Sequence, residues 1–238
     1  MIKFSKEELV RYSRQLILPE VGKNGQTKLK AAKVLVIGAG GIGCPVLQYL
    51  CAAGIGTIGI VDFDTVELHN LHRQILYTPK DIGKLKTEAA IERLKAQNQG
   101  VDFKSFNCVL NDDNASELIN QFDIVVDGCD NFATRYTVND TCVANNKILV
   151  SGSILKFEGQ VVVFNYKGSK NLRDLYPEAP NPEDVPSCSE VGVLGAVTGT
   201  IGCMMSAMTI DILLDQFKNA NMLHLFNFKD YSIQKLSF

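Results

Sequence analysis

The sequence lacks the cysteine spacing of a disulfide framework or a zinc site. Its seven cysteines are an odd number, and no two of them form a C-x-x-C pair, which is a poor basis for paired disulfides or for a thiolate metal site. The first residues also lack the uninterrupted apolar stretch of a signal peptide. We therefore expect a cytoplasmic protein whose thiols are reduced.

An excess of one charge is also missing. The 238 residues include 24 Lys and Arg against 26 Asp and Glu, for a net charge of −2. This balance argues against a nucleic-acid-binding surface over the whole domain, although it is compatible with a local basic pocket. We expect no nucleic acid partner.

One charge-free run, from Val191 to Ile210, has about the twenty residues that a bilayer span requires. The run is rich in Gly, Thr and Ser, and it is flanked by the acidic Glu190 and Asp211 rather than by Lys or Arg. With 46% apolar and 21% charged residues, the chain has the composition of a soluble globular domain. We predict a buried helix here and no association with a membrane.

Strands and helices alternate over the first two thirds of the sequence. Short β-branched runs predict buried strands, and helical patterns lie between them, which together indicate a mainly parallel sheet with right-handed crossovers. The capping box Ser5-Lys-Glu-Glu8 predicts a helix before the first strand. The predicted strands are 33–37, 57–61, 102–109, 123–127 and 147–150, and the predicted helices between them are 41–53, 84–97 and 131–145.

The pattern changes after Val150. A predicted strand at 159–166 is followed by a polar stretch with four prolines that ends at Pro186, and a loop of that length in a compact domain usually has a function. An apolar helix at 191–214 and a hairpin of two short strands, 222–228 and 231–236, complete the chain. We predict an α/β fold with a doubly wound, mainly parallel sheet and C-terminal antiparallel strands.

A glycine-rich turn follows the first predicted strand and opens a helix. It reads Gly38-Ala-Gly-Gly-Ile-Gly43, in which Gly38 permits the tight turn, Gly40 lets the backbone approach a phosphate and Gly43 lets helix and strand pack closely. Asp62 ends the second strand, where a carboxylate can accept hydrogen bonds from ribose hydroxyls. No Gly-Lys-Ser/Thr follows, which excludes a Walker A loop; a tight turn without ligand stays an alternative.

Charged residues beyond the glycine turn distinguish two classes of nucleotide. An NAD site holds only a pyrophosphate, which a helix N-terminus partly neutralises, whereas a triphosphate needs more cations. Arg73 and Lys86 are candidates to hold β- and γ-phosphates. Asp130 follows the fourth predicted strand, at the edge of the sheet where ligands bind, and could hold Mg²⁺. Each of these residues alone could equally be a helix cap or a solvated charge.

Seven motifs run in order along nearly the whole chain. Together they resemble the E1-like ThiF/MoeB/HesA adenylyltransferases, which activate ubiquitin-like sulfur carrier proteins and have a Rossmann-like fold of the E1-activating-enzyme type. The motifs are Arg11-Tyr-Ser-Arg-Gln15, Gly38-Ala-Gly-Gly-Ile-Gly43, Asp62-Phe-Asp64, Asn70-Leu-His-Arg-Gln74, Gly83-Lys-Leu-Lys86, Asp127-Gly-Cys-Asp-Asn131 with Thr134 and Arg135, and Ser187-Cys-Ser-Glu-Val-Gly192.

The resemblance implies a site for MgATP. Asp62 would hold the ribose, Asp130 would serve the magnesium ion, and Arg14 would reach across a homodimer interface to the partner's nucleotide. The remaining residues implied around the nucleotide are Gly38, Gly40, Gly41, Gly43, Asp64, Asn70, Arg73, Gln74, Lys86 and Asn131. The implied product is an acyl adenylate at the C-terminal Gly-Gly of the carrier, together with pyrophosphate.

The resemblance also implies an organisation of the chain. It suggests a single adenylation domain over 1–238, in which 1–150 bind the nucleotide and 151–238 form a carrier-binding extension with a crossover loop at 167–190. Thiamin and molybdopterin pathway members share these motifs, so the motifs do not identify the carrier.

The sequence departs from the family at its cysteines. Family members usually bind a structural zinc ion through two C-x-x-C pairs, and this chain has none, so we predict no zinc. Cys188 aligns with a cysteine that, in some members, takes part in sulfur transfer or in a covalent link to the carrier. It precedes an apolar helix whose N-terminus could lower its pKa. We predict a reactive role for Cys188, and an inert thiol near the helix cap is the alternative.

Two other functions are compatible with parts of the pattern. The glycine turn favours a nicotinamide-dependent oxidoreductase, but the cationic residues and the lack of a convincing hydride-transfer acid count against it. A non-catalytic E1-like subunit that only binds a partner is a third possibility, which the missing zinc pairs favour and the complete set of phosphate-handling residues disfavours.

Overall fold

The computed structural model describes residues 3–181 and 192–238 of the chain. Within them, eight strands form one sheet in the order β3-β2-β1-β4-β5-β6-β7-β8. The five strands from β3 to β5 are parallel to one another, and β6, β7 and β8 continue the sheet in antiparallel pairing. The strands are β1 Lys33–Ile37, β2 Thr57–Val61, β3 Asp102–Phe106, β4 Ile124–Asp127, β5 Ile148–Leu155, β6 Glu158–Phe164, β7 Met222–Asn227 and β8 Ser232–Ser237. The predicted α/β fold class is confirmed.

Helices cover both faces of the sheet. The capping box at Ser5 and Glu8 begins the first helix as predicted. Short 3-10 turns lie at Leu68–Asn70 and Pro79–Asp81. The helices are α1 Lys6–Arg11, α2 Ser13–Leu16, α3 Gly22–Ala31, α4 Gly43–Ala53, α5 Lys86–Gln97, α6 Ala115–Asn120, α7 Phe132–Ala144, α8 Leu172–Leu175 and α9 Gly195–Leu213.

Several parts of the sequence prediction differ from the structure. Helices α2, α3, α6 and α8 were not predicted, because they are short or mostly polar: only Gly25, Gln26 and Leu29 of α3 are buried. Strand β5 continues to Leu155, beyond the predicted end at Val150. The strand predicted at 102–109 ends at Phe106, since the chain leaves the sheet there.

The core consists of one apolar layer on each face of the sheet. Because successive side chains of a strand point to opposite faces, they belong alternately to the two layers. In β1, Val34 and Val36 belong to the layer shared with α4, α5 and α9, whereas Leu35 and Ile37 belong to the layer shared with α6 and α7. Because β1 is buried on both faces, its sequence is a continuous apolar run instead of an alternating one.

Helix α9 packs against the sheet. By length and composition it could cross a membrane, but half of its most apolar window is buried inside the protein, where it packs on β5 and β6. The hydroxyls of Ser206 and Thr209 donate hydrogen bonds to the backbone carbonyls four residues earlier. The predicted buried helix is confirmed for this face only, since Ala196, Thr200 and Ala207 on the opposite face are exposed.

Substitution of Gly59 in β2 should destabilise the fold. A Cβ at this position would overlap the buried Phe122 ring and lie 2.8 Å from Leu35 Cδ1. We expect Gly59→Ala to lower the free energy of unfolding by about 1–3 kcal/mol through overpacking, measured by urea denaturation. Gly199→Ala is the matched control: nothing lies within 4 Å of its Cβ, so it should be neutral or stabilise α9 by up to about 1 kcal/mol. Equal losses in both variants would contradict this reading of the core.

Candidate nucleotide site

The glycine turn lies where the strand order reverses. Strand β1 has β2 on one side and β4 on the other, so the carboxyl ends of β1 and β4 flank a crevice of the kind that binds nucleotides in open α/β sheets. Gly38 has a φ of +85°, a conformation that favours glycine. A Cβ on Gly38 would lie 3.2 Å from the Gly128 carbonyl oxygen, and a Cβ on Gly43 would overlap the Gly38 carbonyl oxygen. These glycines allow the glycine turn, the turn after β4 and the start of α4 to pack closely together.

The carboxylate of Asp62 holds the glycine turn in place. Its Oδ2 accepts a hydrogen bond from the Ala39 N–H at 2.8 Å, and its Oδ1 accepts one from the Asp64 N–H at 2.9 Å. Burial raises the pKa of Asp62, and the Lys86 ammonium opposes that rise. Each carboxylate oxygen can accept two hydrogen bonds, so Asp62 retains acceptor capacity for the predicted ribose contact.

Two glycines of the turn face side chains from other elements. A Cβ on Gly41 would lie 3.1 Å from Thr198 Cγ2 of α9, and a Cβ on Gly40 would lie 3.7 Å from Gln74 Nε2. Gln74 is buried, and its Oε1 has no hydrogen-bond partner in the described structure. A buried acceptor without a donor is costly. Gln74 therefore offers an unsatisfied oxygen beside the glycine turn.

The two predicted phosphate-binding cations have different surroundings. Lys86 is buried at the start of α5, and its Nζ lies 2.7 Å from Asp64 Oδ2 in an ion pair. Arg73 is half-buried, and its Nη1 donates to the His69 carbonyl at 3.0 Å and lies 2.9 Å from His72 Nε2. Both cations are thus held by other groups of the chain.

Asn70 and Gly195 position the backbone near Arg73. The buried Asn70 accepts a hydrogen bond from the Glu67 N–H at 3.1 Å through its Oδ1. A Cβ on Gly195, the first residue of α9, would overlap the His72 carbonyl oxygen and lie 3.2 Å from Arg73 Cα. The N-terminus of α9 therefore lies directly against the segment that presents Arg73.

Asp130 is exposed in the turn between β4 and α7. Its carboxylate makes no hydrogen bond or salt bridge with the described residues. Asn131 follows as the N-cap of α7, and its Oδ1 accepts the Thr134 N–H at 2.8 Å. Mg²⁺ usually binds one or two carboxylates together with substrate phosphates and water, so a free carboxylate at this edge fits the predicted ion. No cluster of three or more His, Cys, Asp or Glu side chains suited to a metal occurs in 3–181 and 192–238.

A buried ion pair, which was not predicted from the sequence, supports the turn that presents Asp130. Arg135 Nε lies 3.8 Å from Asp127 Oδ2, and its Nη2 donates to the carbonyls of Cys129 at 2.9 Å and Gly152 at 3.3 Å. Burial alone would lower the pKa of Arg135, but the neighbouring Asp127, Cys129 and Asp130 together outweigh that effect and raise it. One sequence signal could have predicted this pair. Asp127 is an aspartate inside an apolar strand, and a buried carboxylate needs a cation or hydrogen-bond donors.

A cavity of about 320 Å³ lies beside these residues. It is located between the segment that follows β3 and the N-terminal half of α7, and most of its wall is apolar. The residues that line it are Phe63, Val109, Leu110, Asn111, Asp112, Asn131, Ala133, Thr134 and Thr137. Phe63, which lines the cavity, directly follows the predicted ribose-binding residue Asp62 in the chain.

Arg14 is not part of this cluster. It lies exposed on α2 and makes no hydrogen bond or ion pair within the described chain. The neighbouring Gln15 donates to the carbonyl of Ala53, at the C-terminal end of α4, whereas the glycine turn lies at the N-terminal end. Helix α4 is about 16 Å long, and an arginine side chain cannot bridge that length.

A model of the ThiF family matches residues 12–238 of the chain. The chain belongs to the ThiF family. Family membership confirms the resemblance that the sequence motifs indicated.

Two curated relatives of this family member have informative names. The "Sulfur carrier protein adenylyltransferase" of Thermus thermophilus is 46% identical over 242 residues, which cover 99% of this chain and 89% of that protein. The "Adenylyltransferase and sulfurtransferase MOCS3" of Culex quinquefasciatus is 50% identical over 212 residues, which cover 89% of this chain and 48% of that protein. The chain thus spans about half the length of the MOCS3 relatives.

Solved structures share the fold at lower identity. The crystal structure of PaaA has a TM-score of 0.83 at 20% identity and covers 100% of this chain and 76% of that chain. The crystal structure of Escherichia coli MccB with ATP has a TM-score of 0.80 at 24% identity, over 95% of this chain and 70% of that chain. These likenesses show the fold.

Cys188 lies outside the described residues, so its reactive role stays a prediction. Among the other cysteines, burial raises the pKa of Cys44 and of Cys142 to about 12 and that of Cys51 to about 11. These three thiols are therefore protonated at neutral pH and are unsuited to nucleophilic chemistry.

Removal of the buried cation should destabilise the protein. We expect Arg135→Met to lower the free energy of unfolding by about 3–5 kcal/mol, because it leaves the Asp127 carboxylate buried without a cation. Urea denaturation at pH 7 measures the loss. Lys28→Ala, which removes an exposed ion pair with Asp215, is the control and should change stability little. A small effect of Arg135→Met would show that the pair does not support this turn.

Proposed function

We propose that this chain is an adenylyltransferase that activates the C-terminal glycine of a ubiquitin-like sulfur carrier protein with MgATP. The observation that supports this proposal most is that a member of the ThiF family places its glycine turn, Asp62 and the free carboxylate of Asp130 at one edge of the sheet. Relatives at 46–50% identity are named adenylyltransferases. That agreement favours this function over the nicotinamide-dependent alternative.

The site residues have distinct roles in this proposal. The N–H groups of the glycine turn and the N-terminus of α4 bind phosphate oxygens, and Asp62 binds the ribose hydroxyls. Arg73, Lys86, Asn70 and Gln74 surround the phosphates, with Asp64 holding Lys86 in place. The apolar cavity beside Phe63 accommodates the adenine base.

The reaction needs little chemistry from protein side chains. A carboxylate is ionised near neutral pH, so the C-terminal oxygen of the carrier can attack the α-phosphorus of ATP without a general base. The new O–P bond forms as the bond to the β-phosphate oxygen breaks, and pyrophosphate leaves with both electrons of that bond. The enzyme's contribution is to position the reactants and to neutralise negative charge.

Asp130 is the residue that we expect to hold the magnesium ion. When bound, the ion would neutralise phosphate charge near the leaving group. The buried Arg135 and Asp127 fix the turn on which Asp130 lies, and Asn131 fixes the start of α7.

The carrier binds residues of the extension 151–238 in this proposal. The β5–β6 hairpin exposes Leu155 and Phe157, and Leu194 is exposed before α9. A cavity of about 330 Å³ lies between these elements, with Phe157, Val193 and Leu194 in its wall. An apolar surface next to the nucleotide site suits a small protein whose C-terminal Gly-Gly must reach the α-phosphate. A ThiS-like or MoaD-like carrier, in thiamin or molybdopterin biosynthesis, is the proposed partner.

A homodimer completes the site in this proposal. The position of Arg14 at the far end of α4 supports a role in the partner's site, since the residue is exposed and lacks a partner in its own described chain. Cys188 would act after adenylation, in sulfur transfer or a covalent link, and not in the first step.

Loss of Asp130 should abolish adenylation. We expect Asp130→Ala to reduce ATP–pyrophosphate exchange in the presence of a Gly-Gly-ended carrier from the same genome by at least about a hundredfold. Cys188→Ala should retain exchange while it stops any sulfur transfer.

Asp102→Ala is the matched control for this experiment. Asp102 is an exposed carboxylate at the amino end of β3, at the opposite edge of the sheet, and should be silent. If the wild-type chain shows no ATP–pyrophosphate exchange with any Gly-Gly-ended carrier from the same genome, the proposed function is rejected. Loss of exchange in Cys188→Ala would reject the separation of the two steps.

Mixed dimers test the contribution of Arg14 to the partner's site. Arg14→Ala and Asp130→Ala should each be inactive alone. After subunit exchange of equal amounts, half of the dimers are mixed and each has one intact site, so about a quarter of the wild-type exchange activity should return. No recovery, with mixed dimers verified by mass spectrometry, would show that Arg14 acts in its own subunit, and an active Arg14→Ala homodimer would show that it has no role in exchange.

A further inference from the structure

Three side chains of α7 hold the segment 171–178, which leaves the sheet after β6. They are Tyr136, Asn139 and Asp140, and we refer to them with Arg173 as the α7 clamp. The segment contains the short helix α8, whose N-cap Asn171 forms a reciprocal capping box with Asp174. The clamp therefore binds a segment that already has local structure.

The ion pair of the clamp has a fork-to-fork geometry. Arg173 Nε donates to Asp140 Oδ1 at 2.8 Å, and Arg173 Nη2 donates to Asp140 Oδ2 at 2.7 Å. The remaining Nη1 donates to the Pro177 carbonyl at 3.0 Å. The guanidinium also lies 4.9 Å from the centre of the Tyr136 ring, within the range of a cation–π contact. This geometry fixes the orientation of Arg173 as well as its position.

Buried hydrogen bonds continue the clamp on both sides of Arg173. Asn139 is fully buried, and its Oδ1 accepts the Leu172 N–H at 2.9 Å. The Tyr136 hydroxyl lies 2.9 Å from the Tyr176 carbonyl oxygen and 2.7 Å from that of Glu178, which share its single proton. The backbone is thus held at several points between 172 and 178.

With a different set of residues, the same helix lines the cavity beside Phe63 in which we place the adenine base; we refer to it as the nucleotide cavity. Ala133, Thr134 and Thr137 contribute to the cavity wall, whereas Tyr136, Asn139 and Asp140 contact the segment 171–178. One rigid helix therefore contacts the nucleotide cavity through one group of residues and this segment through another.

We propose that the α7 clamp positions the segment 171–178 for the macromolecular substrate, without contributing to nucleotide binding. This inference rests on the proposed function, in which the carrier binds the extension 151–238, to which the segment 171–178 belongs. The sequence has no thiolate pair with which a metal could hold this segment. The clamp holds the segment with side chains and backbone N–H and carbonyl groups.

The exposure of the Arg173–Asp140 ion pair indicates whether the pair mainly positions the segment 171–178 or mainly stabilises the fold. The Arg173 and Asp140 side chains are 47% and 44% exposed, and ion pairs of that exposure add little to global stability. A fixed orientation matters instead for a surface that must fit a partner, because ordering it on binding would cost affinity. The clamp should therefore affect the KM for the carrier more than the melting temperature.

Arg173→Ala tests the proposal in the full chain. We expect the KM for the carrier in ATP–pyrophosphate exchange to rise about three- to tenfold, with kcat and the KM for ATP within about twofold. Hydrogen exchange at the amides of Leu172, Asp174 and Tyr176 should accelerate. The double variant Asp140→Arg/Arg173→Asp should recover part of the loss. Lys28→Ala, which breaks an ion pair of similar exposure with Asp215, is the control and should change none of these quantities.

Two results would overturn the proposal. One is a carrier KM that does not change although the segment exchanges faster, which would make the clamp purely structural. The other is an equal rise in the KM values for carrier and ATP. A wild-type chain without any exchange activity would instead reject the adenylation reaction, and the hydrogen-exchange measurement would still report whether the clamp holds the segment.

Discussion

The hydrogen bond between the Asp62 carboxylate and the Ala39 N–H is the contact on which the site depends. It connects the end of β2 to the turn after β1, and the second oxygen of the same carboxylate holds the backbone of Asp64. Asp64 in turn pairs with Lys86 at the start of α5. One buried carboxylate thus determines the relative positions of the glycine turn and the second predicted phosphate-binding element.

Much of this arrangement could be predicted because it follows from local sequence rules. The glycine turn, the strand–helix alternation and the position of Asp62 each depend on residues close in sequence. Their assembly follows from the rule that ligands bind at the carboxyl edge of the sheet. The antiparallel β7–β8 hairpin was also predicted, because only a short turn at Lys229 and Asp230 separates its two strand signals.

The rest depends on contacts between distant parts of the chain. The Asp127–Arg135 pair is formed by a strand and a helix whose relation is fixed only when both pack on the sheet, and the contacts of Thr198 with Gly41 join residues far apart in sequence. The α7 clamp is of the same kind. Helix α3 was missed for another reason: most of its residues are polar and only three of them are buried, so that packing determines its conformation.

The unpaired Oε1 of Gln74 has a thermodynamic consequence. A buried carbonyl oxygen without a hydrogen-bond donor is less stable than the same oxygen with a donor in place. A bound molecule that supplies a hydroxyl or an N–H to this oxygen would recover that free energy as binding affinity. By mass action it would also shift the folding equilibrium toward the native state, so that occupancy of the site and resistance to unfolding rise together.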